Sequence, residues 1–263
     1  MSPGRGMMNR RAVLLGIQIG APVLVLLGWG LWSAGSVNIF YPPLTTILDV
    51  FQDTWLFERV GSDVVPSLAN MLAGFALSIV IGVPLGILIG LRRTLRTALA
   101  PVIEFVRAIP PPALIPFGIV VLGVGTSMKV FIILMVGLFP VLMHTIDGVR
   151  GVDPGLLDSA RAYRVGRRDR LVRVVLPAAA PQIFAGMRVS LSLSLILMVI
   201  SEMVASTRGI GYFILESQRT FAIPEMWSGM VLLGILGYLF NLAFGTIERR
   251  ALRWHHGARK GAS

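Results

Sequence analysis

The sequence predicts an all-α integral membrane protein with about six transmembrane helices. Hydrophobic residues make up 55% of the 263 positions and charged residues only 14%, and the mean hydropathy is +0.78. A helix needs about 20 apolar residues to cross a bilayer, and stretches of that length recur along the chain. The segments between them carry most of the arginines. This composition excludes a soluble domain, whose surface would need far more charge.

Six apolar stretches are long enough to be spans: Ala12–Ala34, Val64–Leu91, Val102–Val124, Ser127–Ile146, Ile183–Ala205 and Met226–Ile247. The third contains Glu104, Arg107 and several prolines, so we expect part of it at the interface or as broken helix. A re-entrant segment over 102–124 is the alternative to a full span. We interpret 1–263 as one transmembrane domain, with its first span over 12–34 and its main body over 60–253.

The start of the chain also resembles a cleaved signal peptide, because basic residues precede an apolar stretch that ends at Trp32-Ser33-Ala34. That stretch is longer than a signal core and more spans follow it, so we predict a retained helix. The chain has no cysteine, which excludes disulfides and thiolate metal sites.

Arginines are concentrated in alternate connecting segments. They precede the first span, follow the second, fill the loop after the fourth and recur in the C-terminal tail. The positive-inside rule therefore predicts that both termini are cytoplasmic. The net charge of +11 then reflects topology and attraction to membrane lipid. We expect no nucleic-acid partner, because the arginines are spread over separate short loops without a binding fold.

The loop after the fourth span has a helical pattern of its own. Asp153 is expected to cap a helix that starts at Pro154. We expect Val165-Gly166 to interrupt the pattern, Arg167 to begin a second helix and Leu176-Pro177 to end it. Four apolar positions of the first helix are predicted to share one face. They are Leu156, Leu157, Ala160 and Tyr163.

This loop resembles the cytoplasmic "EAA" loop of ATP-binding-cassette importer permeases. Asp158-Ser159-Ala160 stands for the family's Glu-Ala-Ala, and Val174-Val175-Leu176-Pro177 lies at the required distance. Arg164 occupies the family's glycine position and Gly166 follows two residues later, so we expect a shifted turn between the helices. Further segments that match the nitrate, sulfonate and taurine branch of the family are Arg107–Pro116, Phe139–Val141, Gly148–Pro154, Glu202 and Gly209–Tyr212.

The resemblance implies a type I importer permease in a bacterial plasma (inner) membrane. It implies a second copy of this chain in a homodimer, a cytoplasmic ATPase dimer that holds ATP and Mg, and no cofactor on this chain. An extracytoplasmic solute-binding protein would dock on the outer loops, Val37–Asp63 and Thr207–Glu225. The loop 148–181 would couple to the ATPase. Its coupling residues would be Leu156, Leu157, Asp158, Ser159, Ala160, Arg161, Tyr163, Arg164, Gly166, Leu176 and Pro177.

Polar residues within the spans are candidates for the translocation path. Glu202 is the clearest, because an intramembrane carboxylate is costly and usually faces protein or water. It is expected at a depth similar to that of Lys129, so a structural ion pair between them is an alternative to substrate contact. Hydroxyls at helical spacing could contact an anion or bond their own helix carbonyls. These further candidates are Ser190, Ser194 and Ser201, together with Asn70 and, more weakly, His144 and Asn241.

Small residues recur every four positions in the second predicted span. They are Gly74, Ser78, Gly82, Gly86 and Gly90. Such a seam lets another helix backbone approach closely. We interpret it as packing within the chain, and a subunit or substrate-path contact as the alternative.

Motifs for enzymatic chemistry are missing from the sequence. The segment Gly123–Lys129 lacks the glycine before lysine that a phosphate-binding loop needs. The chain is therefore interpreted as a transport subunit that depends on ATP hydrolysis elsewhere. The resemblance favours a small oxyanion such as an aliphatic sulfonate, taurine or nitrate as substrate. Vitamin precursors and aromatic acids are alternatives within the family, and an ion-coupled carrier that uses Glu202 is an alternative outside it.

Overall fold

The computed structural model describes residues 20, 21, 23–25 and 27–253. Every regular element among those residues is helical, which confirms the predicted all-α class. The α-helices are α1 (Val23–Ser33), α2 (Leu44–Asp53), α3 (Val65–Leu91), α4 (Arg93–Ala108), α5 (Leu114–Leu122), α6 (Thr126–Arg150), α7 (Pro154–Ala162), α8 (Arg167–Arg170), α9 (Leu176–Val204), α10 (Ile210–Arg219) and α11 (Ile223–Ala251). Short π-helical turns cover Thr54–Glu58, Val60–Val64 and Leu171–Val175, and a 3₁₀ turn covers Pro111–Ala113.

Four predicted spans correspond to helices long and apolar enough to cross a membrane. They are Val60–Leu91, Thr126–Arg150, Arg167–Val204 and Ile223–Ala251. The predicted first span, Ala12–Ala34, lies partly outside the described residues, and within them it corresponds to the short apolar helix α1. The fifth span begins earlier than predicted, because the helix runs without interruption from the preceding loop.

The structure confirms the expected break within Val102–Val124, which is not one continuous helix. The structure places α4 and the Pro111–Leu122 helix at 80° to each other, with a break after Ala108. The break coincides with Pro110 and Pro111, which lack backbone donors; the residues before them, Ile109 and Pro110, are both extended, with ψ of 121° and 125°. The bent pair is a broken span or a re-entrant loop, so the described residues contain four spans, or five if the pair counts as one.

Helix α6 lies between α3 and α9 and contacts both at very short range. The small-residue seam of α3 faces α6: a Cβ at Gly74 would lie 2.6 Å from Ile133, and one at Gly86 would lie 2.6 Å from Thr145. On the other side, a Cβ at Gly186 of α9 would lie 2.8 Å from the carbonyl oxygen of Pro140. The interpretation of the seam as packing within the chain is confirmed. Glycine is required there because the helix backbones themselves are in contact.

Most of the apolar core surrounds these three helices. The largest cluster includes Met71, Met128, Ile132 and Met198, each fully buried. Helix α11 is packed less deeply than α6: in the most apolar stretch of each helix, 11% of the residues of α11 are buried against 44% of those of α6. The outer face of α11 is therefore available to lipid or to another subunit.

The seam predicts different responses to the same substitution at two glycines. Gly86→Ala should lower the melting temperature, because its Cβ would overlap Thr145 and the overpacking costs about 1–3 kcal/mol. Gly234→Ala on α11 is the matched control, since nothing lies within 4 Å of its Cβ position. It should be neutral or slightly stabilising, because alanine favours helix by about 1 kcal/mol over glycine. Thermal unfolding in mild detergent measures both, and equal melting temperatures would contradict the packing argument.

Candidate functional site

The loop after α6 begins with the predicted capped helix. The Asp153 side chain accepts a hydrogen bond from the Gly155 backbone N–H at 2.7 Å, and Pro154 is the first residue of α7. The aspartate satisfies a backbone donor that has no partner within the helix, and proline at this position has no donor to satisfy. The predicted helix start is confirmed.

The sequence predicted that the four apolar residues of α7 share one face, but the structure places them in different environments. Leu157 packs against the cluster of Val149, Val152 and Val175, and Ala160 is buried. Leu156 is 52% exposed and Tyr163 is 86% exposed. Leu157 lies about 100° around the helix from Leu156, so the neighbouring elements cover one side of the apolar stripe and leave the other exposed.

The exposed side of α7 also carries polar side chains. Arg161 donates a hydrogen bond to Asp158 at 2.7 Å, and both side chains are more than half exposed, as is usual for a surface pair one helical turn apart. Ser159 is exposed beside them. Together with Leu156 and Tyr163, these side chains form a mixed apolar and charged surface on α7, and its one ion pair within the described residues is that between Asp158 and Arg161.

The turn that follows α7 stays at the position where the family has glycine. Arg164 adopts a positive φ of 53°, and the Val165 N–H bonds the Ala160 carbonyl while the Arg164 N–H bonds the Arg161 carbonyl. These two bonds define a Schellman motif with Arg164 as its left-handed residue. The expected shift of the turn to Gly166 is therefore wrong. Gly166 instead precedes α8, with an ordinary negative φ.

The predicted helix end at Leu176-Pro177 is also wrong. The helix continues from Arg167 through a π-helical turn at Leu171–Val175 into α9. The Leu176 N–H bonds the Leu171 carbonyl, so the hydrogen-bond register widens just before Pro177. A wider turn accommodates the proline ring and its missing donor without ending the helix. The loop is thus joined rigidly to a membrane span.

Glu202 lies at the opposite end of the bundle and is almost completely buried. Its carboxylate accepts hydrogen bonds from the Ser67 hydroxyl at 2.7 Å and from the Gly211 backbone N–H at 3.1 Å. The Lys129 ammonium lies 3.5 Å away and donates to Ser206 at 2.8 Å. The structure shows the ion pair between Glu202 and Lys129 that the sequence suggested. Its geometry is that of a structural tie between α3, α6 and α9.

This carboxylate also positions the chain that leads into α10. Gly209 has a φ of +116°, and a Cβ there would lie 2.5 Å from the Glu202 carboxylate. The Gly209 N–H donates to Asp63 at 2.6 Å, and the Ile210 N–H donates to Ser67 at 3.2 Å. Ser67 and Asp63 were not singled out from the sequence. Glycine at position 209 was a usable signal, because only a residue without a side chain fits against a buried carboxylate.

The predicted hydroxyl candidates are buried between helices. Ser190 bonds Ser78 across the α3–α9 contact at 3.2 Å, and Ser201 donates to its own helix at the Met198 carbonyl. Ser194 is fully buried, and its hydroxyl has no hydrogen-bond partner among the described residues. Asn70 is buried on α3. The structure shows these residues buried within the chain and does not test a role in translocation. That role stays a prediction.

A cavity of 310 Å³ lies where the α4–α5 break meets α6 and α9. Its walls are mostly apolar, and its two polar side chains are Arg107 and His144. The His144 Nδ1 lies 2.9 Å from the Pro140 carbonyl oxygen, which fixes the ring and leaves Nε2 without a protein partner in the described part of the chain. Arg107 has no ion pair within that part. Sequence reasoning gave Arg107 no role of its own, although an arginine before three prolines in an apolar stretch was a signal.

The buried ion pair predicts that the stability of the protein depends strongly on Lys129. Lys129→Met should lower stability by about 3–5 kcal/mol, because Glu202 would stay buried without a counter-charge. The double variant Lys129→Met/Glu202→Gln should recover much of this loss, since glutamine can still accept from Ser67. Melting temperatures of the wild type, the single variant and the double variant in detergent measure these changes. If the single variant melts like the wild type, Glu202 is not a buried charge that depends on Lys129.

Comparisons with known proteins agree with this architecture. Residues 82–252 match the family described as "Binding-protein-dependent transport system inner membrane component". The chain is 32% identical over 263 residues to the bicarbonate transport system permease protein of Synechococcus elongatus, which covers 94% of both chains. It is 27% identical to the taurine transport system permease protein of Escherichia coli, over 91% of this chain and 90% of the relative.

A solved structure shows the same fold. The inward-facing MetNI methionine ABC transporter aligns with a TM-score of 0.64 at 21% identity, over 72% of this chain and 94% of the other. The family match covers most of the chain, including α6, the α7 loop, Glu202, Lys129 and the cavity. This protein therefore belongs to the binding-protein-dependent inner membrane component family, the non-catalytic permease subunits of ABC importers.

Proposed function

We propose that two copies of this chain form the path for a small oxyanion, with the cavity at Arg107 and His144 as part of that path. The observation that carries this proposal is the Arg107 guanidinium, which lines a mostly apolar cavity beside a helix break and has no ion pair among the described residues. An arginine fork binds carboxylate, sulfonate and related oxyanions through paired hydrogen bonds. Bicarbonate and taurine, named for two relatives, both carry an oxyanion group.

The cavity walls favour an organic oxyanion over an inorganic one. Val106, Ile109, Leu114, Met135 and Phe139 surround the space next to Arg107. A ligand with a short apolar body would bury that body against these side chains while its anionic group meets the guanidinium. An aromatic acid, the alternative within the family, has the same two parts and fits the same argument.

The exposed surface of α7 is proposed to dock on the ATPase dimer, which supplies ATP and Mg. Leu156 and Tyr163 expose large apolar areas, and Asp158 and Arg161 supply charge beside them. Because the helix from Arg167 to Val204 is continuous, a displacement of this loop moves a membrane span with it. ATPase closure would thereby switch the path between its two openings.

Orientation follows from the charges at the two ends of the bundle. The end that carries Arg96, Arg150 and α7 is assigned to the cytoplasm of a bacterial inner membrane, with both termini on that side. The solute-binding protein would then meet the other end, where α2 and α10 lie. The Glu202 cluster holds the chain before α10 at that end, so it would present a fixed surface to the binding protein.

Docking on the ATPase can be tested by reversing one charge on α7. Asp158→Lys should abolish co-purification of the ATPase and ATP-driven transport while the protein remains inserted in the membrane. Asp169→Lys is the matched control, because Asp169 is also an exposed carboxylate paired with an arginine, 3.3 Å from Arg173. Mass spectrometry of chains that co-purify from native membranes gives the readout. Normal ATPase recovery with Asp158→Lys would contradict the assignment of α7 as the coupling element.

The oxyanion path can be tested at Arg107. Arg107→Gln should reduce uptake about tenfold to a hundredfold, because a hydrogen bond to a charged group contributes about 1.5–3 kcal/mol. Arg93→Gln removes the same charge from the exposed start of α4 and should leave uptake unchanged. The assay is uptake of labelled taurine, ethanesulfonate and bicarbonate into vesicles that contain the complete transporter. Equal uptake by the two variants would contradict the proposal, provided that ATPase co-purification is intact in both.

A further inference from the structure

Four arginines from four different helices line one pocket at the arginine-rich end of the bundle. Arg96 of α4, Arg150 of α6, Arg161 of α7 and Arg170 of α8 surround a space of 410 Å³. The other lining residues are Gly90, Leu91, Val149, Leu157 and Val175, so no acidic side chain lines the pocket. The pocket is separate from the cavity at Arg107.

The charges of this pocket are only partly balanced by the protein. Arg161 pairs with Asp158, and Arg150 lies 3.8 Å from Asp147, but neither carboxylate lines the pocket. Arg96 and Arg170 are half-buried and form no ion pair within the described part of the chain. Like charges at short range repel one another. An anion between the four guanidinium groups would remove that repulsion.

A second pocket of 420 Å³ continues from the first, because Arg96 and Arg150 line both. Its remaining walls are largely apolar and come from α3, α4 and α6. They include Ile89, Ala100, Pro101, Ile103, Met143 and Ile146. Glu104 and Asp147 also line this space and offset the two shared arginines, so an anion would favour the first pocket over the second.

The geometry points to a binding site for an anionic phospholipid, with the phosphate in the four-arginine pocket and an acyl chain in the adjoining apolar groove. Guanidinium groups bind phosphate oxygens through charge-assisted hydrogen bonds. Basic pockets between helices at one membrane face are suited to lipid headgroups. A carboxylate of a protein partner would satisfy the arginines but would leave the apolar groove unexplained.

The site would link the membrane lipid to the loop that couples to the ATPase. Its arginines come from α7 and α8 on one side and from α4 and α6 on the other. A phosphate held by all four therefore fastens the loop to the membrane-spanning helices. This inference is independent of the transported substrate.

The test compares two double variants of the full-length protein. Arg96→Gln/Arg170→Gln removes the two unpaired arginines of the pocket. Arg92→Gln/Arg168→Gln removes two exposed arginines from the neighbouring positions and is the matched control. Each protein is purified in mild detergent and mixed with equal amounts of phosphatidylglycerol and phosphatidylcholine. Native mass spectrometry then counts the lipids that remain bound.

We expect the wild type and the control to retain phosphatidylglycerol in preference to phosphatidylcholine. The pocket variant should lose this preference by about tenfold or more, because it lacks two of the four cations that would contact the phosphate. An equal preference in the two double variants would overturn the proposal. So would unchanged lipid retention with loss of ATPase co-purification in the pocket variant alone, which would assign the arginines to a carboxylate of the partner.

Competition on the wild type distinguishes a lipid from a free anion and does not depend on the folding of any variant. Glycerophosphoglycerol and inorganic phosphate carry the phosphate without acyl chains. If the groove holds a chain, neither should displace phosphatidylglycerol at concentrations equal to that of the lipid. Displacement at equal concentration would identify a simple phosphate site and overturn the lipid assignment.

Discussion

The close approach of α3, α6 and α9 is the constraint on which the rest of the structure depends. Lipid tails are as apolar as leucine, so burial alone does not hold helices together in a bilayer. These three helices associate because glycine and serine remove the side chains that would separate their backbones, as at Gly86 and Gly186. Since α6 is held on two sides, the positions of both its ends are fixed.

The two ends of α6 differ in how their charged side chains are paired. At one end, Lys129 and Glu202 are buried together, and the desolvation cost is offset by hydrogen bonds from Ser67 and the Gly211 N–H. At the other end, Arg150 joins a group of arginines that the protein leaves partly unbalanced. One end therefore forms a fixed tie within the chain, whereas the other carries arginines that are only partly paired among the described residues.

The break between α4 and α5 gives the bundle its cavity. Because the chain turns by 80° after Ala108, α5 does not continue the line of α4 and a space remains beside α6. Arg107 stands just before this break, and His144 faces the same space from α6. A helix break thus places an exposed arginine beside a mostly apolar cavity without burying it in the core.

The sequence by itself determined the fold class, four of the spans, the cap at Asp153 and the glycine seam, because each depends on local composition or on helical spacing. It also predicted that Glu202 and Lys129 lie at a similar depth in the membrane. Only the tertiary structure decided that Arg164 keeps the left-handed turn, that the helix continues past Pro177 and that Leu157 faces inward while Leu156 does not. Leu157 faces inward because it packs against α6 and the turn before α9. The other two outcomes depend on backbone hydrogen bonds, since Schellman bonds end α7 at Arg164 and a wider turn carries the helix past Pro177, against the preferences of arginine and proline.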